Sequence, residues 1–172
     1  MIYSLTDYRD TERPPTITDV AKASSRFNVS YRDLVLAHAH DLDFTEVMYT
    51  LAIPGTCNVD NRKVSFVLKI GTCALGRFLA RYREHWATFG TIYPVNIVAT
   101  PHPAVERKFH SYMHKNHKDL CVEEGRYKGF SEIYLPHRKV LTLVADWLKT
   151  TKQKRHSWES VQGLMGLMGS VS

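Results

Sequence analysis

Glu106 and His110 stand four residues apart in AVERKFHSYMHKN, and Arg77 and Arg81 stand four apart in LGRFLARYREHWATF, with His85 one turn further on. On a helix this spacing puts the members of each pair on one face, where they can act on a common group. A carboxylate holds a hard divalent cation such as Mg²⁺ or Mn²⁺. Guanidinium keeps its charge and matches a phosphate in shape, and imidazole carries protons near neutral pH. Read alone, Glu106 is a solvated helix charge beside Arg107 or Lys108, and the two histidines are packing or surface residues. His110, His114 and His117 also recur at helical spacing with Cys121 after them, which reads as a rival zinc site. Phosphate loops, GxGxxG, HExxH, GxSxG and CxxC are absent.

The elements that must position these residues follow from periodicity. EVMYTLAI, ended by Pro54-Gly55, and KVSFVLKI are β-rich runs that predict a hairpin. The helix from Leu75 presents Leu75, Phe78, Leu79, Tyr82 and Trp86 as its apolar face. TIYPVNIVAT is a third strand, and Pro101 and Pro103 frame a helix with Val105, Phe109 and Tyr112 inward. Residues 117–130 read as a loop, SEIYL as a short strand, and Pro136 opens a helix with Val140, Leu141, Val144, Trp147 and Leu148 buried. The prediction is an α+β fold: a small three-stranded mixed sheet flanked by helices over 45–148.

Upstream, residues 1–15 read as an extended arm ending in Pro14-Pro15. Residues 16–44 predict two short helices broken at Asn28-Val29-Ser30, a helical appendage whose pattern is that of a helix-turn-helix or of two packing helices. Residues 149–172 join a basic run to a Gly/Met/Ser tail, suited to docking on a protein partner. The 44% hydrophobic and 23% charged fractions predict a folded chain. No run is long and apolar enough for a bilayer span and no secretion signal opens the sequence, so an intracellular protein, in cytoplasm or nucleus, with no membrane role is expected. Three cysteines, Cys57, Cys73 and Cys121, fit reduced thiols. A net charge of +6 favours an anionic partner.

Val47-Met48-Tyr49, then Lys69-Ile70-Gly71, a helix with arginines, Glu106 with His110, and Ser131-Glu132-Ile133-Tyr134 occur in an order that resembles the GIY-YIG nuclease superfamily. More narrowly it resembles the KIG branch found in phages and large DNA viruses, which implies a virus-encoded source. The resemblance covers about residues 46–135. It implies a metal-dependent endonuclease that hydrolyses DNA phosphodiesters. In that reading Glu106, on the exposed side of its helix, is the Mg²⁺ or Mn²⁺ ligand, and Tyr49 acts on the attacking water directly or through a hydrogen-bonded chain. Arg77 or Arg81 neutralises the phosphate, Arg77 being preferred; Lys69 binds phosphate as a point charge; His85 and His110 carry protons; and Glu132 shapes the rim.

The chain departs from that pattern in four respects. VMY replaces GIY, Lys69 stands where the best-studied members carry a second tyrosine, and 19 residues separate Tyr49 from Lys69, more than in those members. The late asparagine of some members has no counterpart. These departures support an alternative, the same fold kept without catalysis as a DNA-binding or structural interaction module. Convergence of Tyr49, one arginine and Glu106 on a basic cleft separates the two.

Overall fold

The computed structural model describes residues 17–59, 62–101, 104–122, 132–137 and 139–149. The expected arm and all but the first residue of the expected tail lie outside them. Helix α1 spans Ile17–Ala37, strands β1 and β2 span Glu46–Val59 and Arg62–Ala74, and a 3-10 turn at Leu75–Arg77 leads into α2, Phe78–Phe89. Strand β3 is Tyr93–Ala99, α3 is Ala104–Asn116, β4 is Ile133–Tyr134, and a last helix, α4, runs over 139–149.

The fold is α+β, as expected, but among the described residues the sheet has four strands in the order β3-β1-β2-β4, and each neighbouring pair is antiparallel. The mixed three-stranded expectation fails for a topological reason. Strands β2 and β3, joined through α2, do run in the same direction, but β1 lies between them, so no parallel pair forms. The two-residue β4 then adds to the free edge of β2.

The hairpin is longer than Pro54-Gly55 suggested. Strand β1 continues past that dipeptide by shifting register between Pro54 and Cys57, and Gly55 takes a positive φ of 139° there, the kind of irregularity that tolerates proline and favours glycine. The 19 residues between Tyr49 and Lys69 are therefore mostly ladder, not loop.

The sheet is buried on both faces. Met48, Ala52, Leu68 and Ile70 pack with Val105, Phe109 and Met113 of α3 and Val140, Val144 and Leu148 of α4. Val47, Tyr49, Leu51 and Val67 pack on the other side with Leu75, Phe78 and Ile92. Helix α1 lies along β3 and shields that edge, with Val20 and Ala23 in the first cluster and Phe27 in the second. It is one continuous helix of 21 residues, so the break at Asn28 and the helix-turn-helix do not form. Asn28, Val29 and Ser30 cost only tenths of a kcal/mol each in a helix, on the order of 0.5, whereas Val20, Ala23, Phe27, Tyr31 and Leu34 keep one apolar stripe in phase through the segment.

The inward face of α2 also differs from expectation. Leu75 and Phe78 are buried, but Leu79 and Trp86 are about half exposed, at 50% and 45%, and His85 is buried in their stead. Val105 and Phe109 of α3 and Val140, Val144 and Leu148 of α4 are buried as expected, while Tyr112, Leu141 and Trp147 are only partly buried and His110 and Met113 join the inward face of α3. No helix among the described residues is long and apolar enough to cross a membrane.

Candidate functional site

Tyr49 and Gly71 face each other across the β1–β2 ladder, so the VMY and KIG segments meet as cross-strand partners. The Tyr49 ring lies over the glycine so closely that a methyl group there would sit 2.5 Å from its hydroxyl oxygen. Only glycine permits that approach. The ring packs edge-on against Phe78, and its hydroxyl is 2.8 Å from Nε2 of His85. Tyr49 is only 2% exposed, and burial raises its pKa; a hydrogen bond from Arg81 opposes that rise without cancelling it. Burial, then the charges of Lys69 and Arg81, depress His85 from 6.5 to about 4. Near pH 7 a protonated phenol and a neutral imidazole are therefore paired.

Arg81, Glu84, His85, Thr88 and Phe89 form one stripe of α2, at i, i+3, i+4, i+7 and i+8, and with Lys69 and Glu132 they line an open cavity of about 420 Å³. Arg81 donates to Glu84 at 2.7 Å. Arg77 is exposed on the preceding 3-10 turn and is not among the lining residues. Of the two arginines, Arg81 and not the preferred Arg77 lines the cavity. Equal facing of the two assumed one α-helix through both, but Arg77 ends the 3-10 turn and caps α2, so regular α-helical rotation begins only after it.

Lys69 shares a sheet face with Tyr49, pairing Leu51 on one side and Ile133 on the other. It is 3% exposed, and a buried ammonium needs a partner. That partner is Glu132, whose Oε2 accepts from Nζ. Glu132 precedes β4 at the sheet's edge, and its side chain is 35% exposed. From there it also reaches the opposite face. Ligand atoms of Glu106, His110 and Glu132 all lie within 4.8 Å of one another.

Glu106 is not on the exposed side of α3. Its side chain is 13% accessible and turned inward, with Oε1 2.7 Å from His110 Nε2. The other ring nitrogen, Nδ1, is hydrogen-bonded to the hydroxyl of Tyr134, and the two rings stack. The rival zinc set does not assemble. Among the described residues the only His/Cys/Asp/Glu group spaced for an ion is the Glu–His–Glu one. His117 is bonded to Tyr112, and Cys121 donates to the His117 carbonyl while burial pushes its thiol up to about 11.

No family model, curated protein or solved structure matches the chain. Two carboxylates and an imidazole are a donor set that fits a divalent ion, and the imidazole favours Mn²⁺ over the harder Mg²⁺. The cavity beside it presents cationic and imidazole groups suited to a phosphate. Glu132 belongs to both. Of the expected residues, Lys69, Arg81, His85 and Glu132 line the cavity, Tyr49 lies buried behind it through His85, and Glu106 and His110 join through Glu132, while Arg77 stays outside. Sequence reading missed Glu84 as the partner of Arg81 and Tyr134 as the partner of His110. The α2 stripe of Arg81, Glu84, His85 and Thr88 was visible at helical spacing, but choosing Leu79 and Trp86 as the inward face hid it.

Proposed function

We propose that this chain is a divalent-metal-dependent endonuclease that hydrolyses DNA phosphodiesters. The observation that carries this reading is the position of Glu132, shared between a cavity lined by Lys69, Arg81 and His85 and the Glu106–His110 pair. A phosphate in the cavity would thereby sit beside the groups that hold the ion. Mn²⁺ or Mg²⁺ held by Glu106, Glu132 and His110 would polarise a phosphoryl oxygen and lower the pKa of water. Arg81 binds the phosphate and offsets charge developing on its oxygens. His85 is neutral at pH 7 and would take a proton from the attacking water at Nδ1, with Nε2–H donating to the Tyr49 hydroxyl, while a metal-bound water would return a proton to the leaving oxygen as the P–O bond breaks. Buried Tyr49 acts behind it, through the 2.8 Å contact, and not on the water itself. The formal charge of +6 suits a polyanionic substrate.

The test is nicking of supercoiled and branched DNA with Mn²⁺, Mg²⁺ or chelator, beside Glu106→Ala. Metal-dependent cleavage lost in the variant, with DNA binding kept, is expected; a folded protein that cuts none of these substrates sinks the reading.

A second reading, a non-catalytic DNA-binding or interaction module, is favoured by one specific observation. The cavity's cations are already satisfied, Lys69 by Glu132 and Arg81 by Glu84. In that case DNA binds equally with and without metal and is never cut.

A further inference from the structure

The contact between Tyr134 and His110 carries an inference about how the metal site works, and it rests on the metal-binding part of the reading above. Tyr134 is the second residue of β4, 0% exposed, on the sheet face opposite Lys69 and packed against Phe109. Its ring lies parallel to that of His110 within 7°, with centroids 5.7 Å apart. The imidazole is thus held by a stack and by bonds at both nitrogens, Nδ1 to the Tyr134 hydroxyl and Nε2 to Glu106 at 2.7 Å.

For a neutral His110, hydrogen-bond chemistry assigns the donors. The Glu106 carboxylate can only accept, so Nε2 carries the proton. In a neutral imidazole the lone pair is then on Nδ1, and Tyr134 must donate to it. An ion held by His110 needs the Nε2 lone pair, which is the opposite tautomer, with Nδ1–H donating. A backbone carbonyl or carboxylate at Nδ1 would lock the second tautomer, and a main-chain N–H would lock the first. A hydroxyl serves both, because it donates and accepts.

We propose that Tyr134 is the positioning residue of the metal site. Its hydroxyl donates to His110 Nδ1 before an ion binds and accepts from Nδ1–H once Nε2 ligates Mn²⁺ or Zn²⁺. The protons balance: Nε2 releases one to solvent, Nδ1 takes one up, and Tyr134 keeps its own. Glu106 exchanges its hydrogen bond to Nε2–H for the ion. His110 is then a ligand, not a proton carrier, and the site prefers ions that accept imidazole nitrogen.

The experiment uses the full chain with ¹⁵N-labelled histidine and Zn²⁺ as a diamagnetic probe. Before Zn²⁺, at a pH where His110 is neutral, it should show a protonated Nε2 and an unprotonated Nδ1. At saturation Nδ1 should be protonated and Nε2 shifted by the metal. Tyr134→Phe keeps the ring but removes the hydroxyl, and should weaken Zn²⁺ by about 10-fold or more and leave His110 without a single tautomer. If that variant does not fold, the tautomer switch in the unaltered protein decides alone. The proposal is overturned by an Nδ1–H tautomer before metal, by His110 nitrogens unmoved at saturating Zn²⁺, or by a folded Tyr134→Phe that binds Zn²⁺ normally. A protein that switches tautomer yet never nicks DNA overturns the nuclease reading and keeps this one. A nicking protein whose His110 nitrogens ignore Zn²⁺ does the reverse.

Discussion

The Tyr49 hydroxyl lies 2.8 Å from Nε2 of a buried His85, so α2 and the first half of β1 are joined by a polar contact inside a mostly apolar layer. Its consequence for stability has a definite sign. Burial and neighbouring cations set the folded His85 at about 4, below its ordinary 6.5. Below pH 6.5 the unfolded chain therefore binds a proton that the folded chain refuses. The His85 contribution is complete above 6.5, is lost as pH falls from 6.5 to about 4, and loses nothing further below that. Thermal melts at pH 7 and pH 4.5 should show a drop in Tm that is smaller in His85→Gln. Equal drops in both proteins would remove His85 as the cause.

Gly71→Ala tests the approach of Tyr49 to β2. A methyl 2.5 Å from the hydroxyl oxygen and 2.7 Å from Cζ forces the ring away. Overpacking of this kind costs about 1–3 kcal/mol. Combining it with Tyr49→Leu should recover much of that loss in urea unfolding, since the ring that collides is gone. Additive losses would place the strain elsewhere.

Lys69 and Glu132 are unequal partners. The Lys69 side chain is 4% exposed and that of Glu132 35%. Glu132→Leu strands a buried ammonium and should cost about 3–5 kcal/mol, whereas Lys69→Met leaves a carboxylate that reaches water and fills the space with apolar volume, a change near neutral. Denaturant midpoints compare them directly. Similar losses in both variants would show that burial does not set the cost.

Metal binding to the folded state alone raises stability by RT ln(1 + [L]/Kd), about 2.7 kcal/mol at 100 Kd. With two carboxylates and an imidazole within 4.8 Å, Mn²⁺ should raise Tm more than Mg²⁺ at equal concentration, and chelator should reverse it. Glu106→Gln should abolish the shift. A shift that survives in that variant puts the ion at another site.

Most strand and helix cores were legible because their signals are local. The runs before Pro54 and before Gly71 alternate or are β-branched, and the stripes of α3 and α4 recur at helical spacing. Three features depend on tertiary context. Asn28-Val29-Ser30 reads as a stop, yet the burial of Phe27 and Tyr31 outweighs weak propensity. Pro54-Gly55 reads as a turn, yet a bulge absorbs it. On α2, Trp86 reads as core, yet the sheet opposite offers Tyr49, and an imidazole that bonds the phenol packs there instead. For the site, residue types were readable and pairings were not. Glu132 with Lys69 and Tyr134 with His110 join positions 63 and 24 residues apart, and no periodicity links them.

The two arginines give the most selective test of the nuclease reading. Arg81 lines the cavity, where its guanidinium donates to Glu84 and its charge acts on Tyr49. Arg77, on the 3-10 turn, is exposed outside it. If Arg81 stabilises charge developing on the phosphate, its loss should reduce the cleavage rate by about 10²–10³, the range for removing a preorganised donor. Arg77→Ala should leave the rate within about 3-fold and at most flatten the salt dependence of DNA binding, as a peripheral phosphate contact does. Arg81→Lys discriminates further. It keeps the charge but not the planar fork, so a rate nearer Arg81→Ala than the unaltered protein indicates shape-matched phosphate binding. Restored cleavage with lysine would mean that charge alone suffices. A rate lost in Arg77→Ala and kept in Arg81→Ala would move the phosphate out of this cavity.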